Sequence, residues 1–277
     1  MLRSILVALD ATPASSQAQQ LAIEMARRLD CQITGLAILD RAHITSPTAV
    51  GIGGMAYKQH RDQVKLEEAK AFLERLEKGF EQSCEGLGAA WQVIEAEGVP
   101  HELIERESGR HDLLVIGKDT DFHFDVDPST ADTVLRLLSE NPRPLLVCPE
   151  QAASDGAVLA TYDGSVRSSR ALHMLALLEF ARGRPVHVLA VADDRATADA
   201  LARYPTELLA KHGYQATAHG IGSYADPTEI VLTEAEALGA TLIAMGASGH
   251  SPLHEFFLGS TTRRLLNACP CALFVHH

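Results

Sequence analysis

Basic residues are in short supply in this chain: 24 lysines and arginines stand against 36 aspartates and glutamates in 277 residues, a formal net charge of −12. Nonspecific binding to nucleic acid or to an anionic membrane needs a cationic face, so both partner classes are set aside. Cysteine is sparse as well. Cys31, Cys84, Cys148, Cys269 and Cys271 are odd in number and form no framework, which argues against a secreted disulfide scaffold and for free thiols. Long hydrophobic runs are missing too: Ile5–Leu9 and Ala171–Leu178 are far too short or too interrupted to cross a bilayer. Met1-Leu-Arg-Ser leads straight into a strand without a signal-peptide pattern, so a cytoplasmic protein is expected. No G-x-x-x-x-G-K-[ST] phosphate loop occurs, and no general base stands beside an evident nucleophile.

What the chain does have is an internal repeat. Ile5-Leu-Val-Ala-Leu-Asp10 matches Val158-Leu-Ala-Thr-Tyr-Asp163, and Gly35-Leu-Ala-Ile-Leu-Asp40 matches Val188-Leu-Ala-Val-Ala-Asp193, at one offset of 153 residues and without a gap. Between these strands lie Ser15–Leu29 and Ser168–Arg182, rich in Ala and Leu at helical spacing. Pro100-His-Glu-Leu-Ile104 echoes Pro227-Thr-Glu-Ile-Val231, and Asp112–Gly117 echoes Thr241–Gly246. Both halves close on a proline and an apolar strand, Asn141–Cys148 and Cys269–Val275. Alternating strands and helices imply βαβ units, hence α/β architecture with two tandem doubly wound parallel sheets. The domains are expected at 1–150 and 154–277, joined by the short polar stretch Gln151–Gly156. Only the first half carries an insertion over 41–92, with a Gly-rich connector, Ser46–Gly54, and a helical run from Tyr57 to Phe80.

The sharpest motif is in the second half. Gly246, Gly249 and Gly259 follow the apolar run Ala240–Met245 in the pattern G-x2-G-x9-G-[ST], completed by Ser260 and Thr261, where the first turns of a helix, Ser260 through Leu266, are expected, the helix ending before Cys269-Pro270. Glycines leaving a strand and a helix start both offer free backbone N–H groups to phosphate. This pattern, with the Cys-Pro-Cys-Ala-Leu-Phe-Val strand behind it, resembles the ATP-binding branch of the universal stress protein family. The resemblance implies a tandem member of that family, with a Rossmann-like fold of the adenine nucleotide alpha hydrolase type. It makes Thr161, Asp163 and Val191 neighbours of adenine or ribose, and Met245, Gly246, Ser248, Gly249, Gly259, Ser260 and Thr261 neighbours of ribose and phosphates. ATP with Mg2+ is the implied ligand. Each residue also has a plainer reading: Asp163 as a cap for the next helix, Val191 as core, Gly259-Ser260 as an ordinary helix start. His250 and His254 border the loop as polar residues able to pair with phosphate when protonated.

The first half lacks this loop. After Gly117 come Asp119, Asp121, His123, Asp125, Asp127 and Asp132, with Ala131-Asp132-Thr133 where the second half has Gly-Ser-Thr. Carboxylates repel a triphosphate, so no ATP is expected there. The acidic run lacks the central glycine and closing glutamate of a calcium loop and reads as a solvated loop. Cys269-Pro-Cys271 reads as structural, and His276-His277 as able to take up metal only adventitiously. The resemblance further implies antiparallel pairing of the two closing strands into a pseudo-dimer within the chain. A homodimer and an unidentified protein partner reading the ATP state are also expected. The alternatives are slow ATP hydrolysis or phosphotransfer, with Ser260 or Thr261 as the candidate acceptors, and an interaction protein with a vestigial motif.

Overall fold

The computed structural model describes residues 1–46, 55–120, 122, 132–247 and 260–277, with the side chains of Asp132 and Ser260 left out. The first half runs β1 (Ser4–Leu9), α1 (Pro13–Leu29), β2 (Gln32–Leu39), α2 (Arg41–Ile44), α3 (Met55–Cys84), β3 (Trp91–Glu97), α4 (Pro100–Ser108), β4 (Leu113–Gly117), α5 (Asp132–Glu140) and β5 (Leu145–Cys148). The second runs β6 (Ala157–Thr161), α6 (Val166–Leu178), β7 (Pro185–Ala192), α7 (Arg195–Lys211), β8 (Gln215–Gly222), α8 (Pro227–Ala237), β9 (Ala240–Gly246), α9 (Ser260–Ala268) and β10 (Ala272–His276). The repeat offset carries β2 onto β7 residue for residue.

Among the described residues the strands form one ten-stranded sheet, ordered β3-β2-β1-β4-β5-β10-β9-β6-β7-β8. Every pairing within a half is parallel. The halves meet at β5 and β10, which pair antiparallel with Phe274 opposite Leu146 and Val275 opposite Leu145. Central strands are apolar on both faces because helices cover both. Alternate residues sort accordingly: Ile5, Val7 and Leu9 join one core layer with Ala18, Leu73, Phe80, Leu172 and Phe274. Leu6 and Ala8 join the other with Ile104, Leu138, Val231, Leu265 and Leu273. Both layers run through both halves.

Helices α6 and α3 differ in extent from what was read off the sequence. Helix α6 stops at Leu178 rather than Arg182, with Glu179 left-handed at φ 60°. The chain turns there because Phe180 is buried in the seam, 5.3 Å from the Phe274 ring, with its carbonyl accepting from Arg28 of the first half. Helix α3 outruns its expected ends and buries Ala69, Leu73, Phe80 and Cys84 along one stripe. Helix α9 ends at Ala268, directly before Cys269-Pro270 as read from the sequence.

A cleft at the switch in strand order

Strand β6 lies between β7 and β9, so the chain leaves it to one side and later returns on the other. In open α/β sheets such a switch leaves a crevice beyond the carboxyl ends of the strands. Here it is a cavity of about 580 Å3. Its floor comes from the strand ends, Thr161 of β6, Leu189, Val191 and Ala192 of β7, and Met245 and Gly246 of β9. Its walls come from Ser168 of α6, Pro227 and Val231 of α8, and Thr261 and Leu265 of α9. The loops after β6, β7 and β8 add Tyr162, Asp163, Asp193, Ser223, Tyr224 and Ala225. Six residues singled out from the sequence, Thr161, Asp163, Val191, Met245, Gly246 and Thr261, therefore line one cavity. Ser260 opens α9 beside Thr261. Ser248, Gly249, Gly259, His250 and His254 lie outside the described residues, as do Asp121, His123, Asp125 and Asp127.

Local hydrogen bonds explain how these side chains are set. Asp163 does not cap α6; that position belongs to Ser165, whose hydroxyl accepts from the Ser168 N–H at 3.1 Å. One Asp163 carboxylate oxygen instead accepts from the Ser165 N–H at 3.0 Å, making a turn into the helix. Partial burial opposes its ionisation, but hydrogen bonds from Ser168 and Ser165 prevail and hold the carboxyl below its ordinary range. Thr161 Oγ1 donates to the Ala244 carbonyl at 3.4 Å, tying β6 to β9 at the cavity floor. Asp226 caps α8 by accepting from the Thr228 N–H at 2.8 Å and pairs with Arg264 near the start of α9. That ion pair joins the two helices flanking the cleft.

Gly246 has a role that the motif reading did not supply. A Cβ there would lie 2.5 Å from the Ser168 nitrogen and 2.6 Å from the Arg167 carbonyl carbon, so glycine is needed for the first turn of α6 to pack on β9. Gly117 stands in the same relation to α1, where a Cβ would lie 2.5 Å from the Ser15 nitrogen. The glycine shared by both halves thus serves packing whatever the loop beyond it binds.

The first half differs at the corresponding strand ends. Asp10 and Asp40, at the positions of Asp163 and Asp193, are 3% and 6% exposed, whereas their counterparts are exposed. Asp10 accepts from the N–H and hydroxyl of Thr12, both at 2.7 Å, and Asp40 caps α2 through the His43 N–H at 2.9 Å. Among the described residues no three His, Cys, Asp or Glu side chains gather as a metal set. Cys271 donates to the Ala240 carbonyl at 3.0 Å, and Cys269 and Cys271 are both buried.

The sequence reading missed Tyr162, Asp193, Ser223 and Tyr224 as lining residues. The last two follow β8, which carries too little apolar patterning to stand out.

Fold and cleft together define a duplicated, doubly wound α/β protein with a crevice at the topological switch of its second half. Residues 1–140 and 156–277 each match the profile of the universal stress protein family. The chain belongs to that family. A universal stress protein from Synechocystis sp. is 25% identical over 281 residues, covering 96% of each chain. Among solved structures, a universal stress protein from Archaeoglobus fulgidus DSM 4304 aligns with a TM-score of 0.69 at 21% identity, covering 99% of this chain and 97% of that one. A functionally unknown protein from Pseudomonas aeruginosa PAO1 aligns at 0.58 and 14%, covering 99% and 92%. At these identities the two structures establish the shared fold. Among the described residues no helix is long and apolar enough to cross a membrane.

Proposed function

We propose that residues 154–277 form an adenine-nucleotide-binding domain that takes ATP with Mg2+. Residues 1–150 are then a degenerate partner domain of the same fold. The whole acts as a nucleotide-dependent stress-response regulator in the cytoplasm, self-associating or engaging a protein partner according to the nucleotide bound. One observation carries this reading: the cavity of about 580 Å3 lies at the switch between β6, β7 and β9, with the first turn of α9 on its wall. Its size falls in the range of roughly 300–1,000 Å3 typical of small-molecule clefts. Apolar Leu189, Val191, Val231 and Leu265 suit a base. The N–H groups opening α9 suit phosphate. The charged side chains on the described lining are Asp163 and Asp193, so a triphosphate is better received with its cation than bare. In the first half, burial of Asp10 and Asp40 supports a closed counterpart.

The test is nucleotide extraction from the purified protein, followed by calorimetric titration of Mg-ATP into wild type and Val191→Trp. The tryptophan fills the cleft without touching Gly246, whose replacement would disturb packing. One ATP per chain, lost in Val191→Trp at unchanged melting temperature, is expected. Two per chain would overturn the degenerate reading of the first domain. None in wild type would leave an interaction protein with a vestigial motif.

A further inference from the structure

The corner between β8 and α8 places an aromatic ring where the fold itself has no use for it. Tyr224 lines the cavity yet is 86% exposed, more than any other large apolar or aromatic side chain among the described residues. Its backbone is held from both sides. The Ser223 N–H donates to the Ala192 carbonyl at 2.9 Å, and the Ala225 N–H donates to Ser223 Oγ at 3.0 Å. Asp226, two residues on, is fixed by the α8 cap and by Arg264. A pinned corner thus carries a ring that contributes little to the core. The ring shares the cavity lining with Val191, Ala192 and Pro227, whose side chains are aliphatic and bear no hydrogen-bonding group. A flat heterocycle entering between an aromatic face and an aliphatic wall removes apolar surface from water on both of its sides.

We propose that Tyr224 is the base-stacking residue of this cleft, its ring lying over the purine of the bound nucleotide. This rests on the nucleotide reading of the cleft. Stacking uses the face of the ring and not the hydroxyl, which separates it from a hydrogen-bonding role. Ring exposure also makes truncation structurally mild.

The experiment titrates ATP into wild type, Tyr224→Phe, Tyr224→Ala and, as a control, Tyr204→Ala, which removes an exposed tyrosine from α7 outside the cavity. Tyr224→Phe should bind within about twofold of wild type, and Tyr224→Ala about tenfold more weakly, the scale of one base stacked on one aromatic ring. Tyr204→Ala and all melting temperatures should be unchanged. Wild-type affinity in Tyr224→Ala would overturn the stacking role and leave the nucleotide reading standing. Equal losses in the Phe and Ala variants would overturn it in favour of the hydroxyl. No ATP binding by wild type would overturn the nucleotide reading, and the role of Tyr224 with it.

Discussion

A methyl group on Gly246 would fall 2.5 Å from a backbone nitrogen, and one on Gly117 would meet the equivalent atom of the other half at the same distance. Gly246→Ala and Gly117→Ala should therefore each cost about 1–3 kcal/mol, the usual scale of overpacking, read from urea denaturation. Gly79 makes the contrast: it lies within α3 with nothing inside 4 Å of its would-be Cβ, so Gly79→Ala should stabilise by about 0.5–1 kcal/mol. His276 gives a pH signature. Burial, with His277, Arg170 and Arg143 adding to it, pushes its imidazole down to about 4. An unfolded imidazole titrates near 6.5, so the unfolded chain takes up the proton first as pH falls. This stability is fully present above about pH 6.5 and declines toward pH 4. His276→Gln should remove about 1–2 kcal/mol of the loss seen between pH 7 and pH 5 in denaturation midpoints. At this scale the sequence was legible in position: Thr161, Asp163 and Val191, read as lying at strand ends, all line the cavity. It did not reveal that Gly246 answers to helix packing, because a close approach between distant segments leaves no local mark.

Helix starts repeat as faithfully as strands. Thr12 caps α1 by accepting from the Ser15 N–H, and Ser165 caps α6 by accepting from the Ser168 N–H, each at 3.1 Å. Thr12→Ala and Ser165→Ala should each lower stability by about 1 kcal/mol in the same assay, since each leaves a helix N–H without its side-chain partner. Central strands announced themselves by continuous apolar runs, because helices bury both of their faces. The outer strands β3 and β8 did not. Their side chains are mostly exposed or half-buried, so Trp91–Glu97 and Gln215–Gly222 lack the composition by which strands are recognised. The early end of α6 was equally hidden. Its helical periodicity continues past Leu178, and the turn is dictated by Phe180 meeting Phe274, nearly a hundred residues further along the chain.

Across the whole molecule, one sheet and two core layers pass uninterrupted from the first half to the second. The N–H of Leu2 donates to the Leu178 carbonyl at 2.9 Å, and Gln17 donates to the Ala152 carbonyl at 3.1 Å, adding polar ties to the seam. Unfolding should therefore be a single transition, coincident by circular dichroism and by the fluorescence of Trp91, the one tryptophan, on the edge strand of the first half. Because the proposed ligand binds the other half, Mg-ATP at about 100 times its dissociation constant should shift the Trp91-detected stability by about 2.7 kcal/mol. A shift seen by circular dichroism but not at Trp91 would mean that the halves unfold separately. The duplication and the fold class were legible because the offset is constant through the first βαβ unit of each half. Burial of Asp10 and Asp40 was not legible, since it is a property of the assembled chain.

The antiparallel pairing of β5 with β10 has a directional consequence. Strand polarity reverses at that seam, so the carboxyl ends of the first five strands and of the last five emerge at opposite margins of the slab. The cleft beside β6 thus opens at the margin opposite the carboxyl ends of the first five strands. A body seated over the margin of the first five strands would leave the mouth of that cleft unobstructed.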